Sequence, residues 1–446
     1  MDAHTSQHVL PLPAWARYRL LRSTAWWLAI AVIGLLASAS RAADLNDREF
    51  AALLGNFQTV VDAERERYDI PGMTAAFVLP DGRMGKVASG SADRERHSAM
   101  TPDSRMLSGS IGKTMTSAVA VKLTEQGIWL LDDKLSKYLG HNSWFTKLPN
   151  AEQLTVRLLL QHRSGLENYY DNPRFLEFLK QKTAEDPSYA PTFETLIAFV
   201  SDRPPLFPPG HGFNYTDVGY LLVGLAIEQA TGRPFYETAR NLFLDPLGLV
   251  LTSPSNVRRI PGLTQGYANG KNPLLQGPTM IGADGQLTYD PSIEFTAGGL
   301  ATNSGDLARW ARAVYSRRVL TAASVDSILE RPALASTQAE DRVYYGLGVR
   351  VSAAGKDTPA SYGHDGYIPG YRSSMRYYPG FDAAMAFQIN TEDGIWEEFS
   401  GDPNALKGHV DMAAIRERLS SVVLAAVGAA AAAPADGGRT AFVGIR

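Results

Sequence analysis

Apolar and polar positions follow two different periods along the chain, and these periods predict its secondary structure. Between residues 45 and 68, apolar side chains recur every three or four positions, which predicts an amphipathic helix. The segments Thr74 to Leu79 and Met84 to Ala88 have strand character, and Pro80-Asp81-Gly82 between them is typical of a turn. The chain is therefore expected to begin its fold with a helix and a β-hairpin.

The middle of the chain, from about Thr101 to Val319, has mainly helical periodicity. Helices are predicted at Ile111 to Gly127, Leu154 to Gln161, Asp217 to Thr231 and Asp306 to Tyr315, the last with Ser304 as its N-cap. A stretch rich in Gly, Pro and Asn, Thr252 to Pro291, is predicted to be a long loop. Such a loop would either wall a substrate cleft or form a surface insertion.

Strand character returns in the last third of the chain. The predicted strands lie near Tyr344 to Val351, Arg372 to Tyr378 and Ala383 to Asn390, and a closing helix is predicted from Met412 to Val427. This order predicts an α+β fold, in which N- and C-terminal helices pack on one antiparallel sheet with a large helical insertion between its strands. We expect one domain over residues 45–428 and a disordered tail over residues 429–446.

The first residues have the features of a secretory signal. Three arginines precede an apolar run from Ala25 to Ala37, and small residues follow, with Ala37-Ser38-Ala39 or Ser40-Arg41-Ala42 as cleavage sites. The run is short for a membrane span. Residues 1–42 are therefore predicted to be a signal peptide, with the body periplasmic or secreted. An uncleaved anchor is the alternative, and only in that case would the protein attach to a membrane.

Composition narrows the chemistry. The 446 residues are 45% hydrophobic and 20% charged, which suits a globular protein with a sizeable core. A formal net charge of -3 gives no reason to expect nucleic acid as a partner. The absence of cysteine excludes disulfides, thiolate catalysis and zinc–thiolate sites, and the eight histidines form no H-E-x-x-H motif. No metal or cofactor is expected, and the sequence leaves the oligomeric state open.

The segment Ser110-Ile111-Gly112-Lys113 places a hydroxyl and an amine three residues apart, on one face of a predicted helix. A serine needs a base to become a good nucleophile, and a lysine that has lost its proton can serve as that base. Alone, the motif is equally typical of a helix N-cap with a solvated lysine. Two other motifs fail, because Leu107 replaces the first glycine of a phosphate-binding loop and Ser108 replaces that of a G-x-S-x-G elbow.

Two further motifs follow in order, Tyr215-Thr216-Asp217 and His364-Asp365-Gly366. Together with Ser110-x-x-Lys113 they resemble the S-x-x-K, Y-x-N and K/H-T/x-G set of the serine penicillin-recognising hydrolases. The segments Leu158 to Leu166, Gly298 to Asn303 and Asp306 to Trp310 are also similar to this family. From about Leu45 to Val427 the chain resembles the group of class C β-lactamases, DD-peptidases and esterases, also called peptidase family S12, and the family's fold agrees with the predicted one.

The resemblance implies a role for each motif. Ser110 would attack a carbonyl and form an acyl-enzyme, while Lys113 would accept or relay its proton. Tyr215, as a phenolate coupled to Lys113 or as one member of a proton relay, would protonate the leaving group and activate water. The backbone N–H groups of Ser110 and Tyr367 would hold the oxyanion.

The substrate-binding positions depart from the family pattern. Asp217 stands where the family usually has Asn, and Asp365 stands where many members have Thr. With His364 and Gly366, these residues are predicted to bind substrate. An ionised Asp only accepts hydrogen bonds, and Asp365 would repel a substrate carboxylate unless strand alternation points it away from the cleft. Two acids favour a neutral or amine-bearing acyl group, such as an ester or a D-amino-acid amide.

The predicted activity is that of an exported serine hydrolase acting on a small-molecule or peptide substrate, including peptidoglycan fragments. A D-alanyl-D-alanine carboxypeptidase comes first, because His-x-Gly resembles the peptidase members. An esterase, a β-lactamase and a D-amino-acid amidase or aminopeptidase are the alternatives within the fold. A penicillin-binding or muropeptide-sensing protein without catalysis is a further alternative, although such a sensor has no need for Ser110, Lys113 and Tyr215 together.

Overall fold

The computed structural model describes residues 45–186, 188–269, 277–332, 342–356, 358–400 and 404–432. The predicted signal peptide lies outside these residues, as do residues 433–446 of the predicted tail and part of the predicted long loop. Within the described ranges, no helix combines the length and apolarity needed to cross a bilayer.

The secondary structure follows the predicted order. The strands are β1 Gly72–Val78, β2 Met84–Asp93, β3 Ser98–Ala99, β4 Met106–Leu107, β5 Ser253–Pro254, β6 Leu300–Thr302, β7 Val343–Tyr345, β8 Arg350–Ser352, β9 Ser361–Ile368, β10 Tyr371–Tyr378 and β11 Ala383–Ile389. The α-helices in the described ranges are α1 Asp47–Arg67, α2 Gly112–Glu125, α3 Ser136–Leu139, α4 Val156–Leu160, α5 Pro173–Glu185, α6 Phe193–Ala198, α7 Asp217–Thr231, α8 Phe235–Ala239, α9 Asp245–Leu247, α10 Phe295–Gly298, α11 Ser304–Tyr315, α12 Ala322–Leu329, α13 Ile395–Phe399 and α14 Met412–Ala432.

An antiparallel sheet of eight strands organises the molecule, in the order β3-β2-β1-β11-β10-β9-β8-β7. The first hairpin joins the last strands through the pairing of β1 with β11, in which Met73 lies opposite Ile389. A second, small sheet has the order β4-β6-β5. The predicted α+β fold is confirmed, with the long helical region inserted between β2 and β7.

The terminal helices α1 and α14 cover one face of the large sheet. Phe57 of α1 and Leu419 of α14 are fully buried there with Phe77 and Phe387, which come from neighbouring strands. The start of α1 is fixed by a capping box between Asn46 and Glu49, which satisfies backbone N–H groups that the helix leaves unpaired. This face is a conventional apolar core.

The other face packs against the helical region, where α11 lies on β1 and β11. Helix α2 is buried on nearly all sides within this region, and Met115 and Val119 belong to the larger apolar core. Trp310 of α11 donates its indole N–H to Thr114 Oγ1 at 2.8 Å. These contacts fix the first turn of α2 beside the sheet, together with the preceding turn that carries the candidate nucleophile.

Several predicted boundaries were wrong by a few residues. Asn303 rather than Ser304 caps α11, because its side chain accepts a hydrogen bond from Asp306 N at 2.8 Å. The strand predicted from Tyr344 to Val351 is two strands, β7 and β8, joined by a turn. The closing helix continues to Ala432, so residues 429–432 of the predicted tail are helical, as expected from the high helix propensity of alanine.

Candidate active site

Ser110 lies in a 3₁₀ turn, Gly109–Ile111, that leads directly into α2. Gly109 has φ of 56°, and a Cβ at this residue would lie 2.6 Å from both Tyr367 N and Tyr367 O. A Cβ at Gly366 would lie 1.9 Å from Ser108 O. Only glycines allow the backbone of β9 to approach the turn this closely. The contact places Tyr367 N beside Ser110, as the predicted oxyanion site requires.

Lys113 is fully buried one turn later, and its ammonium nitrogen has three partners. Its Nζ lies 3.0 Å from Ser110 Oγ, 2.5 Å from Asp217 Oδ1 and 2.8 Å from the carbonyl oxygen of Ala297. The carbonyl and an ionised carboxylate can only accept hydrogen bonds, whereas a hydroxyl can also donate one. Lys113 can therefore take a proton only from Ser110, and it can pass one only to Ser110 or to the Asp217 carboxylate.

Asp217 is the first residue of α7, and its carboxylate is buried against Lys113. The structure thus brings this departure from the family pattern into direct contact with the predicted base. An asparagine at this position could bond to the lysine but would not neutralise its charge. A contact between Asp217 and substrate stays a prediction.

Tyr215 completes a cluster around the nucleophile, since the Ser110 side chain is among the groups that act on its hydroxyl. Burial, followed by the charge of Asp217, raises the pKa of Tyr215 well above its usual range. Lys113 Nζ lies over the tyrosine ring, 4.9 Å from its centroid, and is paired with Asp217. Tyr215 is therefore a neutral phenol near pH 7. Of the two forms predicted for Tyr215, the phenol is favoured over the phenolate, because burial and the charge of Asp217 both oppose ionisation.

His364 lies in the middle of β9 and presents a neutral ring on the side of the helical region. Its Nε2 is 2.9 Å from the hydroxyl of Tyr345, and its Nδ1 is 2.5 Å from Asp365 O. Burial, together with the nearby charge of Lys113, lowers the pKa of His364 to about 3. The strand motif thus contributes a hydrogen-bonding imidazole and no positive charge.

The Asp365 side chain lies on the other face of β9, because successive residues of a strand point in opposite directions. Its carboxylate contacts Arg376 at 2.6 Å, Arg416 of α14 at 3.1 Å and Arg350 at 3.6 Å. Burial opposes ionisation, but these arginines hold the pKa of Asp365 well below its usual range. The structure does not bring Asp365 together with Ser110. The prediction that Asp365 binds substrate was therefore wrong. Its ion pairs instead join β9 to β10 and to α14.

His162 is a member of the site that received no role from the sequence. Its Nδ1 accepts a hydrogen bond from Thr216 N at 3.1 Å, and its ring lies 4.2 Å from that of Tyr215. Burial, and then the charge of Lys113, lowers the pKa of His162 well below its usual range, so the ring is neutral. It positions Tyr215 and Asp217. The sequence feature that could have indicated a role for His162 is its position in the segment Leu158 to Leu166, which is similar to the family.

Glu294 is the second residue that sequence reasoning missed. It ends the 3₁₀ turn Pro291–Glu294, and its Oε1 accepts a hydrogen bond from the Tyr170 hydroxyl at 3.3 Å. The charges of Asp217 and Lys113 act on Glu294, and its own charge acts on Tyr215, which places it at the same site. No sequence motif marks this residue.

Comparisons with known proteins agree with this geometry. Penicillin-binding protein 4 of Amycolatopsis lactamdurans is 25% identical over 348 residues, which cover 75% of this chain and 84% of that protein. A D-stereospecific amidohydrolase from Streptomyces sp. has a similar structure, with a TM-score of 0.64 at 25% identity over 76% of this chain and 94% of its own. D-amino acid amidase from Ochrobactrum anthropi shares the fold, with a TM-score of 0.65 at 24% identity over 85% and 99% of the two chains.

A protein-family model also matches most of the chain. The model of the family described as Beta-lactamase matches residues 57–409, a range that contains Ser110, Lys113, Tyr215 and the strand motif. The fold and the order of the motifs agree with that match. The chain belongs to the Beta-lactamase family and has the fold that this family shares with penicillin-binding proteins.

Proposed function

We propose that this protein is a serine hydrolase that cleaves amide or ester bonds through an acyl-enzyme on Ser110. The observation that carries this proposal is the 3.0 Å contact between Ser110 Oγ and Lys113 Nζ, whose other two partners only accept hydrogen bonds. Lys113, once one of its protons has passed to the Asp217 carboxylate at 2.5 Å, takes the proton of Ser110 as Oγ bonds to the substrate carbonyl carbon. The N–H groups of Ser110 and Tyr367 receive the developing oxyanion.

Breakdown of the tetrahedral intermediate needs a proton for the leaving amine or alcohol. The phenol of Tyr215, whose ring lies 4.9 Å from Lys113 Nζ, delivers this proton and recovers it through Lys113. Water then attacks the acyl carbon, loses its proton to the same pair of residues and releases the acid. The sequence of steps restores Ser110 and uses no cofactor.

Among substrates of this chemistry, we favour amides and esters of D-configured amino acids over peptides that end in a free carboxylate. The arginines that contact the Asp365 side chain are ion-paired there, and His364 of the same strand is neutral. A substrate carboxylate would therefore gain little from this strand. The similarity to a D-stereospecific amidohydrolase supports the choice.

D-alanyl-D-alanine carboxypeptidase activity is the second candidate, and the similarity to penicillin-binding protein 4 favours it. Hydrolysis of N-acetyl-D-alanyl-D-alanine and of its C-terminal amide separates the two candidates. We expect the amide to be preferred by about tenfold or more in kcat/KM, the equivalent of one uncompensated interaction of about 1.4 kcal/mol. A preference for the free acid would establish the carboxypeptidase instead.

A fluorescent penicillin and a chromogenic ester test the remaining alternatives. Rapid turnover of the penicillin identifies a β-lactamase, and rapid turnover of the ester alone identifies an esterase. Stable labelling with no turnover of any peptide or ester identifies a binding protein and contradicts the proposed hydrolysis. Ser110→Ala is the control, since every covalent signal must disappear with it.

Replacement of Tyr215 by phenylalanine tests the proton relay. We expect hydrolysis to slow by about 10²–10⁴-fold, the usual contribution of a general acid or base, with the ring packing against His162 retained. Rapid-quench mass spectrometry measures acyl-Ser110 as it forms and decays. Unchanged rates for both half-reactions in Tyr215→Phe would remove Tyr215 from the mechanism.

We also propose that the protein is exported, on the basis of the leader over residues 1–42. Fractionation of expressing cells, with N-terminal sequencing of the product, tests this. A chain that begins near residue 40 or 43 in the periplasm or medium supports cleavage, and a full-length chain in the membrane fraction supports the anchor.

A further inference from the structure

Glu294 precedes a residue with a strained backbone. Phe295 has φ of 31° and ψ of -118°, in a region that non-glycine residues rarely occupy. Such a conformation persists only where the surrounding structure enforces it. The packing around this turn therefore holds the backbone beside Glu294 in one conformation.

The two oxygens of Glu294 have different surroundings. Oε1 accepts the hydrogen bond from Tyr170, whereas Oε2 lies at the contact between Gly298 and Gly109. A Cβ at Gly298 would be 3.1 Å from Oε2 and 2.9 Å from the carbonyl carbon of Gly109, which precedes Ser110. The residue is half-buried. Among the described residues, Glu294 has no ion-pair partner within 4 Å.

The charge around Glu294 is unbalanced. Burial, followed by the charge of Asp217, raises the pKa of Glu294 to about 8, against the opposing effects of Lys113 and the hydrogen bond from Tyr170. Lys113 is already paired with Asp217 at 2.5 Å. After burial, the charge of Glu294 is also among the causes that raise the pKa of the surrounding tyrosines Tyr169, Tyr170, Tyr215, Tyr236, Tyr289 and Tyr367.

A half-buried carboxylate without a counter-ion is stabilised by any cation that reaches it. Aromatic rings around such a carboxylate add to this effect, because the face of a phenol ring attracts an ammonium group. A bound anion would have the opposite effect, since it would raise the cost of ionising both Glu294 and Asp217. The surroundings of Ser110 therefore favour a positive charge on the substrate at the position of Glu294.

We propose that Glu294 is the residue that selects the acyl group, by accepting the ammonium group of a substrate whose carbonyl is attacked by Ser110. The substrate class is then an amide or ester of an amino acid with a free α-amino group. This inference rests on the proposed acyl-enzyme reaction. It adds that the acyl part of the substrate must carry an ammonium group. Glu294 is a specificity residue and takes no part in the transfer of protons at Ser110.

Two p-nitroanilides of equal shape test the proposal at pH 7, where a bound ammonium group favours the ionised form of Glu294. One is the D-alanyl anilide, and the other is the isobutyryl anilide, in which a methyl group replaces the ammonium. For Glu294→Gln we expect the ratio of their kcat/KM values to shift against the D-alanyl compound by about tenfold or more, the value of a charge-assisted hydrogen bond. Both rates come from one enzyme sample, so the ratio does not depend on the fraction of folded protein.

A matched control removes a carboxylate elsewhere. Glu237→Gln neutralises an exposed acid of α8, and we expect it to leave the ratio unchanged. A ratio in Glu294→Gln equal to that of the wild type would overturn the role of Glu294 while the acyl-enzyme reaction stands. Failure of the wild type to hydrolyse either anilide, with no labelling of Ser110, would overturn the proposed function and this inference with it.

A permanent cation gives an independent readout. The anilide of trimethylglycine keeps its charge at every pH, and the anilide of 3,3-dimethylbutyrate is its neutral counterpart. Since Glu294 ionises as the pH rises through about 8, we expect the wild-type preference for the cation to increase between pH 7 and 9. The increase should be absent in Glu294→Gln. A preference with the same pH dependence in both proteins would assign the cation site to another group.

Discussion

Replacement of Lys113 by methionine is expected to lower kcat/KM by about 10³-fold or more, because Ser110 loses the group that takes its proton. The same change is expected to lower the free energy of unfolding by about 3–5 kcal/mol, since the Asp217 carboxylate remains buried without its partner. Hydrolysis kinetics and urea denaturation measure the two effects separately.

A second variant separates catalysis from stability. In Lys113→Met combined with Asp217→Asn, the uncompensated charge is gone, and most of the stability should return while activity stays lost. Ser110→Ala should abolish activity with little effect on stability, because Ser110 is half-buried and the loss of its neutral hydroxyl leaves no uncompensated charge. Recovery of activity in the double variant would show that Lys113 is not the base.

Asp365→Asn is expected to lower the free energy of unfolding by about 3 kcal/mol and to leave the choice of substrate unchanged. The variant keeps the shape of the side chain but leaves the guanidinium of Arg376, which is 4% exposed, without its counter-ion. The link from β9 to α14 through Arg416 weakens as well. Thermal and urea unfolding report the stability, and the pair of peptide acid and amide reports the substrate preference.

The pH dependence gives this prediction a second test. Because the pKa of Asp365 is held below its unfolded value, its contribution to stability is complete above about pH 4 and is lost as the pH falls further. The acid loss of stability should therefore be smaller in Asp365→Asn. Asp326→Asn, which breaks an exposed ion pair with Arg317, is the control with an expected effect below about 1 kcal/mol. If Asp365→Asn changes the substrate preference without loss of stability, Asp365 contacts the substrate after all.

The sequence predicted the parts of the site that depend on motif order. Ser110, Lys113 and Tyr215 were recognisable because three spaced motifs occur together, and the structure places their side chains within one cluster. The fold was predictable for a similar reason, since the periods of two and of 3.6 residues are properties of local segments. In both cases the signal lies in the residue types themselves.

The parts that depend on three-dimensional contacts could not be predicted. The direction of Asp365 follows from the register of β9 against β10, in which Asp365 lies opposite Ser374. The partner of Asp217 depends on how α2 and α7 pack. Glu294 lies in no motif, and it precedes the unusual backbone of Phe295. Burial and neighbouring charge, which decide the roles of these acids, are not properties of any short segment.

The pairing of β1 with β11 has a consequence for how the chain folds. Met73 meets Ile389, so the centre of the sheet joins segments that are separated by most of the domain. Closing so long a loop carries a large entropic cost, and folding slows as the mean sequence distance between contacts grows. During synthesis the N-terminal hairpin must wait without its neighbour until β11 has emerged. The helical insertion, whose contacts are more local, can be ordered first and then serve as the surface on which the two ends of the sheet meet.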